Sequence, residues 1–524
     1  MNALRHSRLS RWVCTLWPLL ALSGVALQAG DQPQWGERWT RSLVSAERGL
    51  PDAFDPKSGK NLHWTAKLGT ETHSTPIIAD GRVYLGTNNG EPRDPKHRGD
   101  RGVLMCFDEK DGHLLWQLVV PKREEDRYHD WPKSGISSPV TVEGDRVYVV
   151  SNRGEVLCLD VHGLANGNDG PFRDEHAHYT PRGESAPAEP LPDPGPLDAD
   201  ILWRFDLTQE AGIWSHDSAH SSILIHGNHL YLNSGTGVDN THRKIRTPDA
   251  PSLVVLDKHT GRYLARDDEH IAPTIFHCTW SSPSLGEVNG RPLVFFAGGN
   301  GVVYAFEPLA ASAASAASAA SAGSAAPIAH LKKVWQFDFD PAGPKTEVHR
   351  FTTNRVEGPS NIYGMPLFHA NRLYVAGGGD LFWGKNEAFL LCIDATKTGD
   401  ITRDGPVWSY PLQKHVFGTP VLHEGLIYLA DCGRMFHCVD AATGRAVWTH
   451  AINGEVWASP LVADGKVYLG TRSGAFYIFA TGREKRLLSE SQLGRPISAT
   501  TTAANGTLYI ATMTHLYAVK QTAP

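Results

Sequence analysis

Methionine and cysteine are scarce in this chain, at 5 and 7 of 524 residues. No cysteine stands beside another, no CxxC pair occurs, and no CxxCH haem-attachment run is present. Thiolate zinc ribbons and covalently attached haem are thereby excluded. The formal net charge is −6 and no basic run interrupts it, which argues against nucleic acid or an anionic membrane surface as a partner. Past residue 29 no apolar stretch approaches the ~20 residues that span a bilayer. A Gly-x-Ser-x-Gly elbow and a paired-carboxylate motif are also missing, so a hydrolase has no sequence support.

The N-terminus is a targeting segment. Arg5, Arg8 and Arg11 precede the uncharged residues 12–27, and Gln28-Ala29 offers a small-residue cleavage point. Residues 1–29 thus read as a signal peptide, and Pro18 argues against a retained anchor. Loss of three arginines takes the charge from −6 to −9. The mature chain is expected to be monomeric, without a membrane span, and periplasmic or secreted.

What the chain has in quantity is a repeated phrase. Phe436-His-Cys-Val-Asp-Ala-Ala-Thr-Gly-Arg-Ala-Val-Trp448 is echoed by Leu104-Met-Cys-Phe-Asp-Glu-Lys-Asp-Gly-His-Leu-Leu-Trp116. Between such phrases come a Ser/Thr-Pro step, a short apolar run, a Gly turn and Val-Tyr or Leu-Tyr. Around Pro460 this gives strand A, the hairpin turn Asp464-Gly465, strand B (Lys-Val-Tyr-Leu-Gly), a bend at Ser473-Gly474 and strand C (Phe-Tyr-Ile-Phe). A fourth strand opens with the Trp. The order recurs from Ser74, Ser137, Ser221, Ser281, Gly364, Gly418 and Ser498, so eight units are expected.

The fold class is all-β: an eight-bladed propeller of four-stranded antiparallel blades over residues 30–520. The last unit stops at strand C, and the missing outer strand stands near the mature N-terminus at Leu62-His63-Trp64, so the N-terminal strand is expected to close the ring. Residues 161–200, rich in Pro, Gly and acids, and 309–327, an Ala/Ser run, are insertions between strands C and D. Longer connections at 87–102 and 233–251 join strands B and C. Cys106, Cys158, Cys392 and Cys438 each stand two residues before an acid and read as core thiols; no disulfide is required.

The phrase small-x-Asp-x-x-Thr-Gly-x-x-x-Trp, filled by Cys438, Asp440, Thr443, Gly444 and Trp448, resembles the pyrroloquinoline-quinone-like (PQQ-like) repeat of eight-bladed propellers. That superfamily includes quinoprotein alcohol dehydrogenases and the propeller lipoprotein of the β-barrel assembly machine. The resemblance covers nearly the whole mature chain. It implies that Trp64, Trp116, Trp203, Trp335, Trp408 and Trp448 dock each outer strand on the next blade. Ala265 and Arg486 fall near the expected position in blades three and seven.

Alternating strand direction puts the tight A–B turns and the C–D turns on one face, and the B–C and D–A connections on the other. The second face is chemically richer. Its D–A segments bring His73, Lys133, Trp214, His216, Asp217 and His220 toward one mouth, together with His277, Trp280, Tyr363, His415, Glu455 and Trp457. Aromatic and titratable groups converging there make it the candidate ligand-binding site, with no catalytic residue assigned.

Trp214-Ser-His216-Asp217-Ser-Ala-His220 places two histidines four apart, and His242 and His277 are further imidazoles near the same face. On a strand such positions lie about 13 Å apart, so only a curled loop could unite them and no metal site is assigned. Residues 166–170 and 394–404 alternate oxygen-bearing side chains but lack the Glu that closes a calcium loop, and read as turns.

Two functional readings stand at this stage. One is an exported, non-catalytic propeller that binds or scaffolds a protein or ligand at the channel mouth, without a cofactor. The alternative implied by the resemblance is a PQQ-dependent dehydrogenase oxidising an alcohol or sugar with PQQ and calcium. For that role Trp457, Asp217, Asn361 and Lys133 qualify by residue type alone.

Overall fold

The computed structural model describes residues 30–310 and 327–521. The signal-peptide reading and most of the Ala/Ser insertion lie outside the described residues. Eight antiparallel sheets carry the described chain, each built on four main strands, with short extra strands added to some. In seven sheets the main strands follow one another along the chain, and the eighth takes its outer strand from Leu62–Lys67. In blade seven the strands are Leu461–Ala463, Lys466–Gly470, Ala475–Ala480 and Leu487–Gln492. Its first turn holds both Asp464 and Gly465 at positive φ, 51° and 67°. That is the primed hairpin geometry, whose twist matches the strands it joins. Leu62–Lys67 pairs antiparallel with His515–Val519, Trp64 standing opposite Ala518. Among the described residues, no helix is long and apolar enough to cross a membrane.

Both repeated phrases have a physical reason. In the first, Asp440 Oδ1 accepts from the Thr443 backbone N–H and hydroxyl at 3.0 and 2.9 Å, fixing the C–D turn. Gly444 follows at φ 68°, with Trp408 of the preceding blade lying where a Cβ would point, 2.6 Å away. Only glycine fits both constraints. Each docking indole donates to a carbonyl in the next blade. Trp64 reaches Glu109 O at 2.9 Å, Trp116 reaches Val161 O at 2.9 Å, and Trp203 reaches Lys258 O at 3.2 Å. Trp335 reaches Ala395 O at 3.2 Å, Trp408 reaches Ala441 O at 3.0 Å, and Trp448 reaches Gly482 O at 3.1 Å. Strand register gives Ala265 the tryptophan's place in blade three, opposite Val255. In blade seven it is Ser489, opposite Ile478, and not Arg486, because the bulge that precedes every docking position shifts the count.

The Ser/Thr of the second phrase ties the inner strands together around the channel. The Met365 N–H donates to Thr419 Oγ1 at 2.9 Å, Thr419 N–H to Ser459 Oγ at 2.8 Å, and Ser459 N–H to Thr500 Oγ1 at 3.1 Å. Thr500 N–H then reaches Thr75 Oγ1 at 3.3 Å, crossing the closure of the ring. These hydroxyls satisfy backbone donors that the narrow inner strands leave without a ladder partner.

Two segments depart from the repeat. Residues 161–200 form a compact appendage with one short helix, Glu175–Tyr179, joined to blade one through Leu197 O and Gln117 N at 2.9 Å. Its 166–170 stretch is turn: the Asp169 N–H donates to Asp200 Oδ2 at 2.7 Å. In the 394–404 stretch Asp394 Oδ1 is likewise occupied by the Thr396 hydroxyl at 2.7 Å. The second segment, residues 30–54, is a strap across the A–B end of the channel. Pro33 O, Trp39 O and Leu43 O accept the N–H groups of Val142, Leu285 and Val462, which belong to blades two, four and seven. The strap closes that end and carries Trp35, 5% exposed, to the floor of the channel.

Candidate functional site

The open end leads into a cavity of about 520 Å³ whose lining includes Trp35 at the bottom and His73, Asp217, His220, His277, Trp280, Tyr363, Phe417 and Trp457 around the walls. One wall is an aromatic arc. Trp280 and Tyr363 lie 4.9 Å apart, Tyr363 and Phe417 stack at 5.3 Å, and Phe417 and Trp457 stack at 5.0 Å. The Arg472 guanidinium lies 4.2 Å from the Trp457 ring centre, and His73 stacks on the same indole at 6.0 Å. At the rim Trp131 is 57% exposed.

The opposite wall is polar and buried. Asp380, wholly buried, ends the glycine run 377–379 and opens the B–C connection of blade five. Its Oδ1 accepts the Phe382 and Trp383 N–H groups at 3.0 and 2.6 Å. Its Oδ2 lies 3.0 Å from His277 Nδ1 and accepts the Tyr363 hydroxyl at 2.5 Å. Burial works against this charge, but His277 and Tyr363 hold the carboxyl below its usual range. An ionised carboxylate only accepts, so His277 Nδ1 carries a proton and its Nε2 is the nitrogen turned toward His216. That Nε2 lies 3.1 Å from His216 Nε2. His242 packs on both rings, with centroids 4.8 Å from His216 and 5.4 Å from His277. Burial opposes protonation of His277, yet the charge of Asp380 outweighs it and leaves the pKa raised. Burial, together with His277 and His242, pushes His216 well down.

Of the twelve sequence candidates, His73, Asp217, His220, His277, Trp280, Tyr363 and Trp457 line the cavity. His216 sits behind the wall against His277. His415 is buried 4.6 Å from the Tyr363 ring, supporting it from outside. Trp214 is sandwiched elsewhere, under Arg246 at 3.5 Å. Lys133 is exposed on the rim, its backbone N–H donating to Asp100 Oδ2 at 2.8 Å, and the backbone carbonyl of Glu455 accepts from the Arg472 N–H at 2.8 Å. His216 and His220 are not united: His220 turns to Trp280, with centroids 5.2 Å apart. Sequence reasoning missed Asp380, Phe382, Phe417 and Trp35. The run Gly377-Gly378-Gly379 was the available signal, since a Cβ on Gly379 would stand 2.1 Å from Lys385 O.

The family model described as outer membrane protein assembly factor BamB (PQQ_2) matches residues 40–125, 100–163 and 332–522. The chain belongs to this PQQ_2 family. Among solved structures it is similar to BamB from Moraxella catarrhalis, at 11% identity and TM-score 0.51, covering 87% of this chain and 98% of that one. It is also similar to a europium-containing methanol dehydrogenase, at 12% identity and TM-score 0.54, covering 92% and 89%. These likenesses show the fold. No curated protein sequence matches significantly. The PQQ_2 match leaves out residues 164–331, the stretch that supplies His216, His242, His277 and Trp280.

The cofactor implied by the family's name can be tested against the lining. Pyrroloquinoline quinone is a planar quinone bearing three carboxylates. Arg472 is the one Lys or Arg side chain among the lining residues, which also carry the two carboxyl groups of Glu71 and Asp217. Burial holds the His220 imidazole down at about 4, so it adds no charge at neutral pH. Lys133 and Asn361 lie outside the lining; the Asn361 amide N–H donates to the Tyr363 hydroxyl at 2.9 Å, and its Oδ1 is buried without a hydrogen-bond partner. The described cysteines are all free and buried, with no adjacent pair. The residues present do not fit this quinone.

Buried neutral imidazoles also set the acid response. Burial, reinforced by Arg123, holds His129 down at about 3, and burial holds His415 down at about 4. Their folded pKa values lie below the ordinary 6.5, so their stabilisation is complete above that pH and is lost as pH falls through it. Each should cost about 2 kcal/mol between about pH 7 and about pH 5. The urea midpoint should therefore drop well before the carboxylate range, and His129→Gln should flatten that drop.

Proposed function

We propose that this propeller is an exported, non-catalytic binding protein that takes a small planar aromatic ligand into the blind mouth of its channel. The observation that carries this reading is the aromatic arc Trp280–Tyr363–Phe417–Trp457 above the Trp35 floor. A cavity of about 520 Å³ suits a ligand of drug-like size, and the rigid rings that line it lose little entropy on binding. Arg472, poised over Trp457, favours a ligand with a single anionic substituent. A ring closed by its own strand and by the strap is also a rigid frame on which rim residues such as Trp131 present apolar surface.

The planar anion 8-anilinonaphthalene-1-sulfonate is a suitable probe. Its fluorescence should rise to saturation at one site per chain, and Trp457→Ala should weaken binding about 10- to 100-fold through loss of stacking. Binding that does not saturate, or that ignores Trp457, would sink the proposal. The dehydrogenase alternative makes the opposite forecast: a bound-quinone spectrum and dye reduction when PQQ and calcium are added with an alcohol.

A further inference from the structure

We infer that His216, His242 and His277 form a binding site for one divalent transition-metal ion of the zinc class, set in the cavity wall with a coordination position open to the channel. The three imidazoles come from separate segments: the D–A crossing into blade three, the B–C connection of blade three, and the D–A crossing into blade four. Each offers one ring nitrogen, and these nitrogens all lie within 4.8 Å of one another. His216 Nε2 and His277 Nε2 are 3.1 Å apart. Two nitrogens at about 2.0–2.1 Å from a tetrahedral zinc stand about 3.3–3.4 Å apart, close to that spacing. His242, on a half-buried loop, needs to shift by roughly an ångström to complete the trio.

The surroundings are those of a ligand set rather than of three core histidines. A metal-binding imidazole needs its other nitrogen tied to a carboxylate or carbonyl, which fixes tautomer and ring plane. His277 is tied to Asp380, which Tyr363 and two backbone N–H groups hold in place. That leaves His277 Nε2, 3.1 Å from His216 Nε2, for a common centre. The Asp217 carboxylate lies 3.4 Å from His216 Nε2, with its Oδ1 buried and without a hydrogen-bond partner.

The backbone is bent to make this arrangement. Asp217, Ser218, His220 and His242 all sit at positive φ, 54°, 72°, 49° and 56°, a region costly for residues other than glycine. Such strain persists where the surrounding structure imposes it. Because His242 and His277 line the cavity, the ion would face it. Three protein ligands with a fourth position free is the open pattern, and an all-imidazole set selects zinc, copper, nickel or cobalt over calcium and magnesium. The inference does not depend on an organic ligand occupying the cavity.

The test uses the whole mature protein, stripped with EDTA and titrated with Zn²⁺, with Co²⁺ as a coloured substitute and Ca²⁺ as contrast. Tight binding of one Zn²⁺ per chain, a visible Co²⁺ absorption band and no response to Ca²⁺ are expected. His242→Ala, half-buried on a loop and outside the core, should fold normally and weaken Zn²⁺ binding at least about tenfold, abolishing the zinc-induced rise in Tm. Asp380→Asn should weaken it about 10- to 100-fold while leaving one site. No zinc binding by the wild type, equal binding by folded His242→Ala, or a preference for Ca²⁺ would each overturn the assignment.

Discussion

Trp335→Ala should lower the stability of the propeller by about 3–5 kcal/mol, read as a fall in the urea midpoint. Trp335 is fully buried, packs 5.9 Å from Phe295, and donates its indole N–H to Ala395 O in the next blade. Truncation opens a cavity between two blades and leaves that carbonyl unpaired, so the transfer and hydrogen-bond losses add. Trp335→Phe separates the two, since it keeps most of the apolar contact and gives up the hydrogen bond, at about 1–2 kcal/mol. Trp408→Ala should cost less than Trp335→Ala, because Trp408 is only half-buried although its hydrogen bond is the same. If the two alanine variants unfold alike, burial is not what the repeated tryptophan supplies.

The contrast between these tryptophans and the mouth explains what the sequence made legible. The docking residues solve the same contact problem in most blades, so the same letters return at the same spacing: Asp440 for the turn, Gly444 for the close approach, Trp448 for the next blade. A contact made once leaves no period to read. Asp380, His242 and His277 meet through connections of three different blades, and each alone resembles an ordinary turn residue. The pair that was conspicuous in sequence, His216 and His220, diverges in space because left-handed residues between them reverse the chain. The family match omits residues 164–331, which carry His216, His242 and His277 together with blade three and Trp203, so it does not separate frame from site. Trp35 was illegible for another reason. It lies in the strap, which belongs to no blade, and only its threading across several inner strands brings it to the floor.

That threading rests on one buried cation, and Arg41→Ala should release the strap. Arg41 is fully buried, and its hydrogen-bond acceptors are all uncharged: Pro283 O and Ser222 O at 3.0 Å, and Trp35 O and Ser222 Oγ at 3.3 Å. Burial pulls its pKa down to about 9, still charged at neutral pH. Removing the guanidinium orphans three carbonyls from two blades and the strap itself, a loss of about 1–3 kcal/mol for each group left buried. The loss is local, because the eight blades keep their own docking contacts and ring closure. Hydrogen exchange in residues 30–54 should quicken by about 100-fold or more while the inner strands stay protected. Trp35 should become accessible to a quencher from the A–B side, turning a blind cavity into an open channel. Arg41→Lys should fall between, since one ammonium keeps the charge but not the fork that reaches both blades at once. Unchanged exchange in the strap of Arg41→Ala would mean that Glu47, which accepts the N–H groups of Asn505 and Gly506 at 3.0 and 2.6 Å, holds the plug by itself.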